Sequence, residues 1–226
     1  MQFDDRKHAG KALAAVLADL GKAGKVNLQN AIVLALPRGG VPVGFAIAKQ
    51  LHLPLDVCVV RKVGVPSQPE LALAAVAEGG ELVVNKDVQA ALGLTMAAIQ
   101  ELAAPKHLEV AERINKFRGG RTDISVKGKT AILVDDGLAT GATALAAIHV
   151  LKKTGAAAIV LALPVCPDSA VARFRGEVDE LVVLHAPVHF YAVGNWYRDF
   201  AQVSDDEVGA ILSEASRLQN RYILKK

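Results

Sequence analysis

Cysteine is scarce in this chain. Two thiols, Cys58 and Cys166, stand in 226 residues, too few for the disulfide framework of a secreted domain and suited to a reducing, cytoplasmic setting. Neither sign of charge dominates. A net charge of +3 supplies no strong basic field, so nucleic acid is not an expected partner. Long apolar runs are missing too: none approaches the roughly 18–20 residues that cross a bilayer, and no membrane partner is expected. The opening Met1-Gln2-Phe3-Asp4-Asp5-Arg6 does not read as a signal peptide. Six histidines and two cysteines show no zinc spacing, and no G-x-S-x-G elbow occurs. Aromatics make up only 4% of the chain. Aliphatic residues are what is plentiful: 52% of the chain is hydrophobic and the mean hydropathy is +0.30. That suits one α/β domain over residues 1–226 with a sizeable core.

The apolar periodicity predicts an amphipathic helix over 4–22, with Ala9, Leu13, Val16, Leu17 and Leu20 on one face. Short continuous apolar runs at 31–36, 55–60, 129–135, 157–163 and 181–184 read as strands covered on both faces. Helical patterns over 41–51, 144–151, 168–174 and 205–218 alternate with them, so a parallel sheet with helices on both faces is expected. Arg61 to Leu71 carries Gly64, Pro66 and Pro69 and reads as a mobile loop. Gly79-Gly80 between 73–78 and 81–85 signals a hairpin. An inserted helical stretch follows at about 87–118, and Pro105 is expected to split or kink it. The basic residues Lys116, Arg118, Arg121, Lys127 and Lys129 read as a solvated face. In a parallel sheet, ligands bind beyond the carboxyl ends of the strands, where the loops after 31–36, 55–60 and 129–135 meet.

One segment is richest in chemistry. The run from Lys129 to Val134 stops at Asp135-Asp136, and Gly137-Leu138-Ala139-Thr140-Gly141-Ala142-Thr143 leads into a helical pattern. A strand, a tight loop and a helix N-terminus present backbone N–H groups and a positive dipole end to an anion. The two carboxylates can accept sugar hydroxyls or hold a hydrated cation. A second turn, Leu36-Pro37-Arg38-Gly39-Gly40, offers amides beside a guanidinium that can grip phosphate oxygens. Five of the ten aromatics gather between Phe190 and Phe200.

Val134 to Thr143 closely resembles the 5-phosphoribosyl-1-diphosphate (PRPP) signature of type I phosphoribosyltransferases. From the Asp-Asp-Arg start to the Val-Gly-Asn-Trp-Tyr-Arg-Asp-Phe end, the chain is similar to a bacterial group of predicted phosphoribosyltransferases. The resemblance implies the family's α/β fold with a small hood at about 185–203. It implies that Asp135 and Asp136 bind the ribose hydroxyls, and that Gly137, Leu138, Ala139, Thr140, Gly141, Ala142 and Thr143 wrap the 5′-phosphate. Arg38, Gly39 and Gly40 resemble the diphosphate loop in its Arg-Gly-Gly form, where the family often carries a strained or cis peptide. Arg61 and Lys62 fall where the family has its catalytic lid and would bring charge to the leaving diphosphate. Phe190, Val193 and Trp196 occupy the place of the purine enzymes' hood and would meet the acceptor. His185 and His189 beside them read as structural. Mg²⁺ is the implied cofactor, with Asp135 and Asp136 as its outer-shell carboxylates. Dimers are common in the family, and the split helix over 87–117 offers a face for a homodimer.

The resemblance thus implies transfer of 5-phosphoribose from PRPP to a small nitrogenous acceptor, such as a purine base, with release of diphosphate. A non-catalytic PRPP- or nucleotide-sensing regulator is the alternative. One departure matters: hypoxanthine–guanine enzymes carry a third Asp in the phosphate loop, and here that position is Ala139. The general base therefore has no assigned residue.

Overall fold

A computed structural model describes residues 2–66, 68–121 and 123–223. Eight strands and seven helices follow one another as α1 (Arg6–Lys22), β1 (Ala31–Ala35), α2 (Gly40–Leu51), β2 (Leu55–Val57), β3 (Val60–Val65), β4 (Gln68–Ala77), β5 (Leu82–Val84), α3 (Lys86–Leu92), α4 (Met96–Arg118), β6 (Thr130–Val134), α5 (Ala142–Lys153), β7 (Ala158–Val165), α6 (Asp168–Arg175), β8 (Glu180–His185) and α7 (Asp205–Ile223), these being the elements among the described residues. No helix among them is long and apolar enough to cross a membrane.

The first layer is a five-stranded parallel sheet in the order β2-β1-β6-β7-β8. Strand alternation sends its side chains into two cores. Val33, Ala35, Ile132 and Val134 face α1, α2 and α7, while Ile32, Leu34, Ala131 and Leu133 face α5. Register sets the last residues of β1 and β6 side by side, Ala35 against Val134, with Ala162 of β7 next in the row. The loops that follow them therefore leave one edge of the sheet together. Helix α1 packs closely on α2 because Gly10 has no side chain: a Cβ there would lie 2.5 Å from the Val43 carbonyl oxygen. Val16, expected on the buried face of α1, is instead 38% exposed.

The expected mobile loop over 61–71 is an antiparallel hairpin. β3 pairs with β4, and β4 with β5; Ser67 lies outside the described residues. Val60, Val63, Val65 and the successive residues 73–77 are all buried, and this second sheet is gripped between α4 on one face and α5 on the other. The prolines and glycine that read as loop signals cluster about its turn. The run over 55–60 is likewise two strands. The Cys58 amide donates to the Ala35 carbonyl at 2.9 Å, and the chain then leaves the parallel sheet to open β3 at Val60. The hairpin expected about Gly79-Gly80 is present as β4 and β5.

Pro105 does not split the helical insertion. It lies inside an unbroken α4, on the exposed side, where the Glu101 carbonyl it deprives of a donor faces solvent. The break comes earlier, at Gly93, whose φ of +61° ends α3 before Thr95 caps α4 by accepting from the Ala98 amide. Burial pushes the Cys58 thiol up to about 12 and the Cys166 thiol to about 11, so neither is a reactive thiolate near neutrality.

Two residues of the supposed solvated basic face are structural. Arg118 is 7% exposed and forks onto Asp56 at 3.0 and 2.8 Å, with Glu78 as a further partner. Asp56 also accepts from the Val57 amide at 2.8 Å. Arg121 folds back onto the carbonyls of Phe117 and Arg118 at the end of α4. The Arg118–Asp56 pair clips the edge strand β2 to α4. Replacing Asp56 by Ala would leave the buried guanidinium with Glu78 alone, and urea unfolding is expected to show a loss of about 3 kcal/mol.

Candidate functional site

β6 delivers two carboxylates to the edge of the sheet. The Asp135 carboxylate accepts the Asp136 amide at 2.9 Å. Arg6, at the start of α1, donates its Nε to Asp136 Oδ2 at 2.8 Å, and the two side chains are 11% and 13% exposed. Burial, and then the charge of Asp136, holds the Asp135 carboxyl well above the usual carboxylate range. Burial raises Asp136 as well, and Arg6 opposes that shift. The Tyr197 hydroxyl donates to the Asp136 backbone carbonyl at 2.6 Å, and its own pKa is raised, by burial first and then by the Asp136 charge.

The turn after β1 lies directly against these acids. The Leu36 amide donates to the Val134 carbonyl at 2.8 Å, tying the turn to the end of β6. The Pro37–Arg38 peptide is cis, which locates the unusual bond expected in this loop. Gly39 sits on the Asp136 carboxylate so closely that a Cβ would overlap it, and a Cβ on Gly40 would lie 2.6 Å from the Val134 carbonyl oxygen. Both positions thus need glycine for close approach as well as for amide presentation. The Gly40 amide donates to the Leu36 carbonyl at 3.1 Å. Arg38 Nη1 stands 3.5 Å from Asp205 at the start of α7, and Lys116 of α4 holds the other oxygen of Asp205 at 2.9 Å.

The loop into α5 is anchored at its base and open at its tip. Gly137 lies between Val193 and Val165, whose methyls would be 2.6 and 3.0 Å from a Cβ placed there. The Leu138 amide donates to the Val165 carbonyl at 3.1 Å, and its side chain is buried. Ala139, Thr140 and Thr143 are exposed, while Ala142 is half-buried. Gly141, with φ of +69°, is the N-cap of α5 and packs on the Phe174 ring. The arrangement leaves two threonine hydroxyls around the positive end of a helix. Arg173 reaches toward this loop, its Nη1 3.5 Å from the Thr140 carbonyl.

The basic pair on the hairpin is divided by strand alternation. Arg61 pairs across to Val76 and faces α4, where Glu109 holds it at 3.4 Å; Lys62 pairs to Ala75 and takes the α5 face. Burial lowers the Arg61 pKa, with Arg113 acting the same way and Glu109 opposing it. Arg61 is therefore a strand residue bonded to α4, not a loop residue free to sweep over a ligand. The hood runs from the end of β8 through a short turn at Val193–Trp196. Phe190, Val193 and Trp196 are half-buried, and Tyr191 is 88% exposed. Trp196 rests on His185, with ring centroids 4.6 Å apart, and its indole N–H is buried with no hydrogen-bond partner among the described residues. His185, lowered by burial, packs here as a structural ring.

Arg6, Tyr197, Asp205, Lys116 and Arg173 reach the site without having been singled out as site residues. Arg6 stood in the Asp-Asp-Arg start and Tyr197 in the aromatic cluster, but their contacts with Asp136 span 130 and 61 residues. Asp205 carried a weaker signal as the first acidic residue of a helical pattern.

Comparison with known proteins bears on the whole chain. The family model described as "Phosphoribosyl transferase domain" matches residues 2–183. "Putative phosphoribosyl transferase Rv0571c" of Mycobacterium tuberculosis is 51% identical over 216 residues, which is 95% of this chain and 47% of that protein. The chain thus spans about half the length of the curated relatives it matches. Ribose-phosphate pyrophosphokinase of Pyrococcus furiosus shares 40% identity over 63 residues, 27% of this chain and 23% of its own. The crystal structure of TT1426 from Thermus thermophilus superposes with a TM-score of 0.86 at 43% identity, covering 95% of this chain and 99% of that one. With the parallel sheet, the twin acids and the glycine loops in place, the chain belongs to the phosphoribosyl transferase domain family.

Proposed function

We propose that the protein transfers 5-phosphoribose from PRPP to a small nitrogenous acceptor, with a purine base as the first candidate, and releases diphosphate. One observation carries the reading: Gly39 lies on the Asp136 carboxylate, so the diphosphate turn and the ribose acids form one continuous surface. In this reading Asp135 and Asp136 accept the ribose 2′ and 3′ hydroxyls. Thr140, Thr143 and the N-terminus of α5 take the 5′-phosphate. Arg38 takes diphosphate oxygens in exchange for Asp205, its partner in the structure.

Transfer breaks the bond from ribose C1 to the diphosphate oxygen, which leaves with the electron pair. A nitrogen lone pair forms the new bond at C1, and positive charge builds on the sugar between the two events. The chain's task is to hold both reactants in line and stabilise the departing charge. The acceptor's displaced proton leaves to a base that this chain does not identify, since Ala139 has no acidic group. Phe190 supplies a half-buried ring for a flat acceptor.

The chemistry of the donor set fits Mg²⁺ arriving with the diphosphate. Among the described residues no group of three or more His, Cys, Asp or Glu is placed to hold an ion alone. Two carboxylates raised by burial suit a hydrated cation whose charge favours their ionised forms. Bound there, Mg²⁺ would neutralise charge on the leaving group. The reading places the protein in the cytoplasm, where PRPP is made and used.

Five measurements test this. PRPP consumption with Mg²⁺ across purines, pyrimidines and small amines should reveal an acceptor; PRPP binding with no diphosphate release for any of them would point to a sensing protein instead. Asp135→Asn with Asp136→Asn should abolish turnover while the protein still folds. Because the folded pKa of Asp135 lies above its unfolded value, its contribution to stability is greatest in acid and is lost as pH rises through that interval. Asp135→Asn alone should therefore match or exceed the wild-type melting temperature above neutrality. Gly39→Ala, which displaces the Asp136 carboxylate, should lower turnover about a hundredfold. Phe190→Ala should raise the acceptor KM about tenfold and leave the PRPP KM unchanged, consistent with about 1–3 kcal/mol for base stacking.

A further inference from the structure

The start of the described chain and the hood converge on Asp136. The Phe3 amide donates to the Trp196 carbonyl and the Arg198 amide to the Phe3 carbonyl, each at 2.8 Å, and the Asp199 amide donates to the Asp4 carbonyl at 2.9 Å. Residues 3 and 4 thus run beside the hood as an added strand-like segment, reinforced by the Arg198–Asp4 ion pair at 3.0 Å. Arg6 follows at once. Its Nε donates to Asp136 Oδ2 at 2.8 Å, its Nη1 to the Ala201 carbonyl at 2.7 Å, and its guanidinium plane lies 3.9 Å above the Phe200 ring. Phe200 stacks on Tyr197, which closes the circuit by donating to the Asp136 carbonyl.

We propose that Arg6 is a positioning residue that couples the sugar-binding acids to the hood. The inference rests on the ribose reading of Asp136 given above. One planar cation serves three partners with three different parts of itself: Nε for the acid, Nη1 for the hood backbone, and its face for the hood ring. A lysine ammonium has neither the fork nor the plane. The geometry gives this group two consequences. It aims the Asp136 carboxylate, whose other neighbour is Gly39. It also makes the hood's seat depend on that carboxylate, because a sugar hydroxyl drawn to Asp136 shares the oxygen that Arg6 holds. Occupancy of the donor site is thereby relayed to Phe200 and Ala201, and the acceptor meets a hood set by PRPP.

The test is PRPP binding in the presence of Mg²⁺ by calorimetry, with hydrogen exchange read over residues 190–203, on wild type, Arg6→Gln and Arg6→Lys. In wild type, PRPP is expected to slow exchange in the hood. Arg6→Gln should weaken PRPP binding about tenfold or more, as for a lost hydrogen bond to a charged group, and abolish the hood's response. Arg6→Lys should recover part of the affinity and still lack the response; a merely structural arginine would cost melting temperature and leave the response intact. If Arg6→Gln does not fold, Phe200→Leu carries the test: affinity should hold while the response shrinks. Variants that bind PRPP like wild type with an undiminished hood response overturn this inference and leave the phosphoribosyl reading standing. Failure of wild type itself to bind PRPP overturns that reading and this inference with it.

Discussion

A single buried carboxylate organises this site. Asp136 stands at the end of the central strand β6, where the desolvation of its charge must be offset. Arg6 offsets it from the α1 end, Tyr197 fixes the peptide from the hood, and the Arg-Gly-Gly turn gives up two side chains to lie against it. Remove the carboxylate and each of these arrangements loses its reason. Gly39 would have no carboxylate to make room for, and the arginine would be a nearly buried cation with only a carbonyl and a ring.

This economy explains why some of the architecture was legible in the sequence and some was not. Short aliphatic runs ending at Leu36 and Asp135 announce themselves, since only a strand covered on both faces is apolar at successive positions. Glycines beside charged residues marked the two turns that leave β1 and β6, and the acid pair marked the strand end. What escaped was set by distance along the chain. Arg6 looks like any first-turn residue until the fold brings position 136 to it. Arg118 looked solvated because its partners, Asp56 and Glu78, lie far away in sequence.

The hairpin shows a different failure. Over 61–71, glycine and prolines outweighed the alternating valines Val63 and Val65, so turn chemistry hid a pair of strands. The consequence reaches the site. As a strand residue, Arg61 is committed to Glu109 on α4. The cations beside the Arg-Gly-Gly turn are Arg38 itself and Lys116, both held by Asp205. In the proposed reaction, positive charge for the departing diphosphate would come from this α4–α7 junction, where Asp205 holds both cations in the structure.

The seam between Phe3 and Tyr197 also governs the order in which the molecule can be finished. During ribosomal synthesis Phe3 and Asp4 emerge well before Trp196, Arg198 and Asp199, the residues they pair with. The sheet and the core under α5 can consolidate in the meantime, since every residue of that core precedes the hood. The seat of Asp136 cannot. A chain cut short before Trp196 would leave Phe3 and Arg6 without the partners that seat Asp136, so that pocket closes only after the hood has been made.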